Sequence, residues 1–304
     1  MRKNFKTLIC AALCGAAFCV APAFSAKSPV AVQLTADVMD YDMQKGEFKA
    51  SGNVKLQRED LTLTADFGRA NTVEKNARLW QNVHAFGTQN GEKVDARSAA
   101  LDVDFSTPDV DYVLTGGVDA QFGVQRLQSE RARMYGKNFE AEQVKRYEDT
   151  LQQLTVTCKK VEGRYDSGGI VEGAAEGDVT AVKTDADKIS TLVCRRLVYS
   201  RGDGTMTGTG GASITVDRTS GSKVKHTRID CDKLVYSFAE ATITGSGNAT
   251  AVQDGRTFQA RTMIYHVDSG KLEAKGTPRV TVDLSSPGAP KAAAPSGRKR
   301  SKKK

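Results

Sequence analysis

One short unit recurs along this 304-residue chain, and it restricts the fold more than any other feature. Its clearest form is Phe48-Lys-Ala-Ser-Gly-Asn-Val54, which reads as a strand, a small-residue turn and a second strand. Close copies are Tyr112-Val-Leu-Thr-Gly-Gly-Val118, Met206-Thr-Gly-Thr-Gly-Gly-Ala212 and Ile243-Thr-Gly-Ser-Gly-Asn-Ala249. Looser ones are Leu79-Trp-Gln-Asn-Val83, Gly173-Ala-Ala-Glu-Gly-Asp-Val179, Leu272-Glu-Ala-Lys-Gly-Thr-Pro278 and, faintest, Phe139-Glu-Ala-Glu-Gln-Val144. Eight copies at a period of roughly 30 residues mean a repeat architecture, in which stacking neighbours buries what a single unit cannot.

A second element precedes the copies: Ala36-Asp-Val-Met-Asp-Tyr41, Cys194-Arg-Arg-Leu-Val-Tyr199, Cys231-Asp-Lys-Leu-Val-Tyr236 and Ala260-Arg-Thr-Met-Ile-Tyr265. A small residue is followed at +3 by Leu or Met and at +5 by Tyr. Residues two apart share a strand face, so the +3 and +5 side chains point the same way, and joining the small residue to them requires a bulge. Leu61-Thr-Leu-Thr-Ala65 and Leu154-Thr-Val-Thr-Cys158 alternate apolar and hydroxylated residues, the pattern of half-buried strands. Lys45-Gly46 and Asn90-Gly91 read as hairpin turns. Residues 124–144, with the charged run Ser129–Arg133, read as a helix or as a degraded repeat. The expected fold is all-β: an elongated β-jellyroll or rolled antiparallel sheet with an open apolar groove. The weakest repeat suggests two modules, residues 27–150 and 151–284, divided near Thr150.

The ends differ from the body. Arg2, Lys3 and Lys6 precede an uncharged apolar stretch from Leu8 to Val20 and small residues up to Ala26, the order of a cleaved export signal over residues 1–26. An uncleaved anchor over residues 8–26 is the alternative. Residues 285–304 hold three prolines and no large apolar side chain, and end in Arg298, Lys299, Arg300, Lys302, Lys303 and Lys304, a composition that reads as a disordered tail. Those six bases are candidates for contacting anionic lipid headgroups. The chain's net charge of +8 belongs to these ends, which carry ten positive charges and leave the body at −2. A nucleic-acid-binding body is therefore not supported.

No nucleophile elbow, phosphate loop or HExxH motif is present, and His84, His226 and His266 are scattered. His266 reads as an ordinary surface histidine, with a contact to Asp268 as the alternative. Asp102 with Asp104, and Asp109 with Asp111, share strand faces as solvated acids do. We expect no catalytic constellation, no cofactor and no metal site. After the first 26 residues three cysteines remain, Cys158, Cys194 and Cys231, spaced too widely for any zinc pattern. They stand at the small position of successive repeats, either as buried hydrophobes or, if those positions stack in one column, with one disulfide geometrically open to them.

At this point a resemblance arises. The segment Leu34–Leu56 resembles the opening of the OstA/LptA family of lipopolysaccharide-transport proteins, with Asp37, Tyr41, Asp42, Gly52, Asn53 and Val54 matching its pattern. The likeness is good over residues 34–123 and 190–283 and weak between. It implies an exported periplasmic β-jellyroll whose groove shields the acyl chains of lipopolysaccharide or a related lipid. It also implies end-to-end strand addition to other jellyrolls of the same transport system, and self-association. The groove candidates are Tyr41, Phe48, Leu63, Trp80, Leu197, Tyr199, Leu234, Tyr236, Met263 and Tyr265, for which ordinary sandwich core is the competing assignment. Three other readings stand beside a lipid carrier: a membrane-anchored LptC-like relative, a ligand-free structural or adhesive β-solenoid, and a polysaccharide-processing β-helix enzyme.

Overall fold

The computed structural model describes residues 33–282, apart from 59, 90–91, 108–109, 152, 167–168 and 221–222. The expected export signal over residues 1–26, the basic tail with its six headgroup candidates, and the expected Asn90-Gly91 turn lie outside the described residues. Every regular element within them is a strand. In order these are β1 (Gln33–Thr35), β2 (Val38–Asp42), β3 (Glu47–Arg58), β4 (Leu61–Asn71), β5 (Asn76–Gln89), β6 (Glu92–Asp104), β7 (Asp111–Phe122), β8 (Gln125–Tyr135) and β9 (Asn138–Asp149). There follow β10 (Leu154–Asp166), β11 (Gly169–Thr184), β12 (Lys188–Ser200), β13 (Thr205–Ser220), β14 (Lys223–Ser237), β15 (Thr242–Gln253), β16 (Arg256–His266), β17 (Lys271–Lys275) and β18 (Arg279–Val282). Residues 124–144 therefore belong to β8 and β9, not to a helix.

All 18 strands form one antiparallel sheet. From β3 to β16 each strand pairs with the next. At one edge β1 and β2 share β3, and at the other β17 and β18 share β16, so each edge is one strand broken in the middle. The division expected near Thr150 coincides with the β9–β10 hairpin, and pairing runs through it unbroken, from Leu154 opposite Asp149 to Arg164 opposite Asn138.

The repeated unit proves to be a corner inside one long strand, not a turn between two. In β3 the register slips between Ser51 and Val54, where Gly52 (φ 71°) and Asn53 (φ 47°) are left-handed. The same slip falls at Gln81-Asn82, Gly116-Gly117, Gly177-Asp178, Gly210-Gly211 and Gly247-Asn248. Left-handed backbone is tolerated by Gly and Asn, which is why the repeats advertise those residues. The preceding strand contributes the small residue: Ala65, Cys158, Cys194, Cys231 and Ala260 all sit beside a slip, and Ala36 lies in the break between β1 and β2. This is the bulge that the +3 and +5 spacing demanded, and Leu197 with Tyr199, Leu234 with Tyr236, and Met263 with Tyr265 indeed share the buried face.

Each strand is thereby bent into two arms. The inner faces of the arms meet: a Cβ on Gly68 would lie 3.4 Å from the Val54 side chain, and one on Gly245 would lie 3.3 Å from the Ile229 side chain, each pair straddling the corner. The Tyr265 hydroxyl bonds the Thr227 side chain from the opposite arm. One contiguous core runs from Ala50 to Val267. Opposite the corner lies a seam between the two sets of hairpin turns, crossed by the Arg218 guanidinium, which donates to the Val267 and Asp268 carbonyls.

Candidate functional site

The interior of this roll is apolar from end to end. Its middle is closed: Leu197 and Met263 have no exposed surface, and Tyr199, Leu234, Tyr236 and Tyr265 are buried with them. Tyr199 and Tyr236 both lie edge-on to Phe238. Six of the ten groove candidates thus sit in packed core.

The ends are different. Toward β1 and β2 the same inner face loses its cover. Tyr41 stacks on Phe48 with ring centroids 4.0 Å apart, yet 46% of Tyr41 and 53% of neighbouring Met39 remain exposed. Phe48 and Leu63 are half-buried behind them. At the opposite edge Phe258 pairs with Val280 and Arg256 with Val282, and these valines are 53% and 40% exposed. Large apolar side chains that face inward but meet water mark two open mouths of one interior.

Trp80 is not part of that face. Leu79, Val83 and Ala85 are the buried inward residues of β5, so alternation turns Trp80 outward, where it stacks on Phe67 at 5.7 Å. It stands immediately before a corner, the position of Ser51, Thr115, Glu176, Thr209 and Ser246 in other repeats. That alignment was available in the sequence. Phe86 shares the outer face and tilts against His84 at 4.7 Å.

The corner itself is a polar clasp. Asn53 donates to Asp37 at 2.9 Å, Asn82 to Asp66 at 2.7 Å and Asn248 to Asp232 at 3.0 Å. Asp37, Gly52 and Asn53, singled out for their resemblance, therefore hold the bend. Where Asp178 replaces Asn, Lys159 replaces the acid and pairs with it at 2.8 Å, which holds the Asp178 carboxyl below its usual range.

The remaining titratable residues form ordinary partnerships. His266 meets Glu273 at 3.3 Å, not Asp268; its register partner on β17 is Lys271, and Glu273 reaches it diagonally from two residues further along. Asp102 pairs with Arg78 and Asp111 with Arg133, while the Ser106 side chain and, second to it, the Ser106 amide hold the Asp104 carboxyl low. The outer face from β7 to β12 carries a lattice of such pairs, including Arg131–Glu142, Arg164–Glu172 and Arg196–Glu176. Cys158, Cys194 and Cys231 are free and buried, and burial pushes each thiol up to about 11. They lie on β10, β12 and β14, so a whole strand separates each pair. Two strand spacings of about 4.8 Å exceed the roughly 7 Å limit for a disulfide.

A repeat-built antiparallel sheet, folded on itself around a continuous apolar interior, is a rolled β-jellyroll. Residues 33–107 match the family model described as LptA/(LptD N-terminal domain) LPS transport protein, and over that segment the chain is OstA/LptA-like. A search of curated proteins returned no match. Among solved structures, LptH, titled the LptA homologous periplasmic component of the conserved lipopolysaccharide transport device from Pseudomonas aeruginosa, aligns over 43% of this chain and 94% of that one. Its identity is 14% and its TM-score 0.35.

Proposed function

We propose that this chain is an exported, periplasmic lipopolysaccharide-transport protein that shields acyl chains in its apolar interior and joins neighbouring jellyrolls through its sheet edges. The observation that carries the proposal is the uncovered inner face at both ends: Met39 and Tyr41 at one, Val280 and Val282 at the other. An acyl chain gains about 0.8 kcal/mol for each CH₂ removed from water, so passive partition suffices and no reaction is needed. The family match over residues 33–107 supports lipopolysaccharide as the cargo.

The edges support the bridging half. Unpaired strand edges invite strand addition. Residues 33–42 carry Asp37, Asp40 and Asp42 and no base, whereas residues 271–282 carry Lys271, Lys275 and Arg279 against Glu273. These complementary signs favour joining the last edge of one jellyroll to the first edge of the next.

The closed packing around Leu197, Leu234 and Met263 favours a second reading, a filled roll with no ligand. Native mass spectrometry separates the two. The protein is purified without detergent from a lipopolysaccharide-producing host, beside the double variant Met39→Asp/Tyr41→Asp, whose sites are exposed enough to leave folding intact. Co-purified lipid that the double variant loses is the expected result. A lipid-free mass that also fails to take up added lipopolysaccharide overturns the carrier.

A further inference from the structure

Four basic residues occupy inward-facing positions on consecutive strands at the rim of one arm, beside the seam. Lys188 of β12, Arg218 of β13 and Lys225 of β14 stand directly opposite one another in the registers. All three are in phase with buried core residues of their strands: Leu192 and Cys194, Ile214 and Val216, Thr227 and Ile229. Lys183 of β11 is in phase with Val179 and Ala181, and sits opposite Ser190, two residues from Lys188. Like charges abreast on one sheet face repel, and this body carries a net charge of −2, so composition does not explain the row.

Lys225 is exposed, but the rest of the row is not a solvated surface. The Lys183 and Lys188 side chains are only 18% and 11% exposed, held by Asp185 at 3.0 and 3.5 Å. Arg218 reaches across the seam to the carbonyls of Val267 and Asp268. Asp185 thus bridges two of the bases, immediately above the core. Ile214, Val216 and Ile229 are sealed in this structure, so an amphiphile that parts the seam and lays its tail along them would bring its head to this row.

We propose that Lys183, Lys188, Arg218 and Lys225 form a headgroup subsite for a phosphate-bearing acyl lipid, with Lys188 and Lys225 as its main anion contacts and Arg218 also clamping the seam. Clustered ammonium groups suit a compact, highly charged phosphate, and charge-assisted hydrogen bonds are the strong ones. The subsite rests on the reading of the interior as an acyl groove.

The test is isothermal titration of the full chain with dodecyl phosphate, dodecanol and inorganic phosphate. The expected result is that dodecyl phosphate binds about tenfold or more tighter than dodecanol. Lys188→Gln/Lys225→Gln should lose that preference while keeping dodecanol affinity, and Lys188→Arg/Lys225→Arg should retain it. Circular dichroism confirms that each variant is folded; should the Gln pair unfold, the wild-type comparison and the Arg pair still decide. Equal binding of both amphiphiles to the wild type overturns the subsite and leaves the groove standing. Failure of both amphiphiles to bind overturns the groove itself. Inorganic phosphate binding as tightly as dodecyl phosphate makes the row a free-anion site and overturns the lipid assignment.

Discussion

Gly210 and Gly211 offer an internal control on what holds the corners. Both have φ of 81°, so replacing either with Ala imposes the same left-handed backbone on a side chain. Their surroundings differ. A Cβ at Gly210 would lie 2.8 Å from the Arg195 Cβ and 3.1 Å from its Cγ and Cδ, whereas one at Gly211 would meet nothing within 4 Å. Gly211→Ala should therefore cost only the backbone strain, about 1–2 kcal/mol. Gly210→Ala adds an overpacking penalty of about 1–3 kcal/mol, because the nearest contact is a Cβ and cannot swing away. Urea unfolding followed by circular dichroism at constant m-value measures both. Arg195→Gly removes the opposing Cβ, so the cycle Gly210→Ala/Arg195→Gly should return about 1–3 kcal/mol of coupling. Equal costs for the two alanine variants, or coupling near zero, would refute the claim that close approach of adjacent strands, beyond backbone handedness, sets the glycine at these corners.

Burial separates the groove candidates by their expected response. Met263→Ala should destabilise by about 2–5 kcal/mol, while Tyr41→Ala should cost under about 1 kcal/mol and weaken acyl-probe uptake instead; thermal melts and a fluorescent fatty-acid titration read the two. The thiols of Cys158, Cys194 and Cys231 should resist an aromatic disulfide reagent at pH 8 in the folded protein and react at once in denaturant. Their folded values of about 11 exceed the ordinary 9.0, so the folded state retains protons that the unfolded chain releases. Their contribution to stability is full below about pH 9 and is lost as pH rises toward 11, and a variant with all three changed to Ala should show a shallower decline over that window. Lys275→Glu/Arg279→Glu should reduce any self-association seen by analytical ultracentrifugation, and high salt should mimic it in the wild type.

Much of this molecule was legible without its structure, and the reason is locality. A left-handed pair favours Gly, Asn or Asp where it occurs, so the clear units announce themselves in short segments, and those with left-handed Gln81, Gln143 or Thr277 are the looser copies. The bulge between Cys194 and Leu197, or Cys231 and Leu234, follows from the break in alternation alone. The net charge of the body follows from simple counting. Tertiary structure decided what depends on which strands meet. It made each Gly-Asn segment a bend within one strand, because pairing continues on both sides of the slip. It carried one sheet through residue 150 and put a whole strand between the cysteines, excluding their pairing. It also showed which inward residues are sealed and which reach water: Tyr41 and Tyr265 hold the same place in their repeats, yet one is at a mouth and the other in the core. The basic row of Lys188, Arg218 and Lys225 is the clearest case, since along the sequence these bases stand among other charges such as Asp187, Asp217 and Lys223 and nothing marks them as a row. The β13–β14 hairpin alone sets Arg218 opposite Lys225, but only the pairing of β12 with β13, which joins Lys188 to Arg218 from 30 positions away, brings all three abreast.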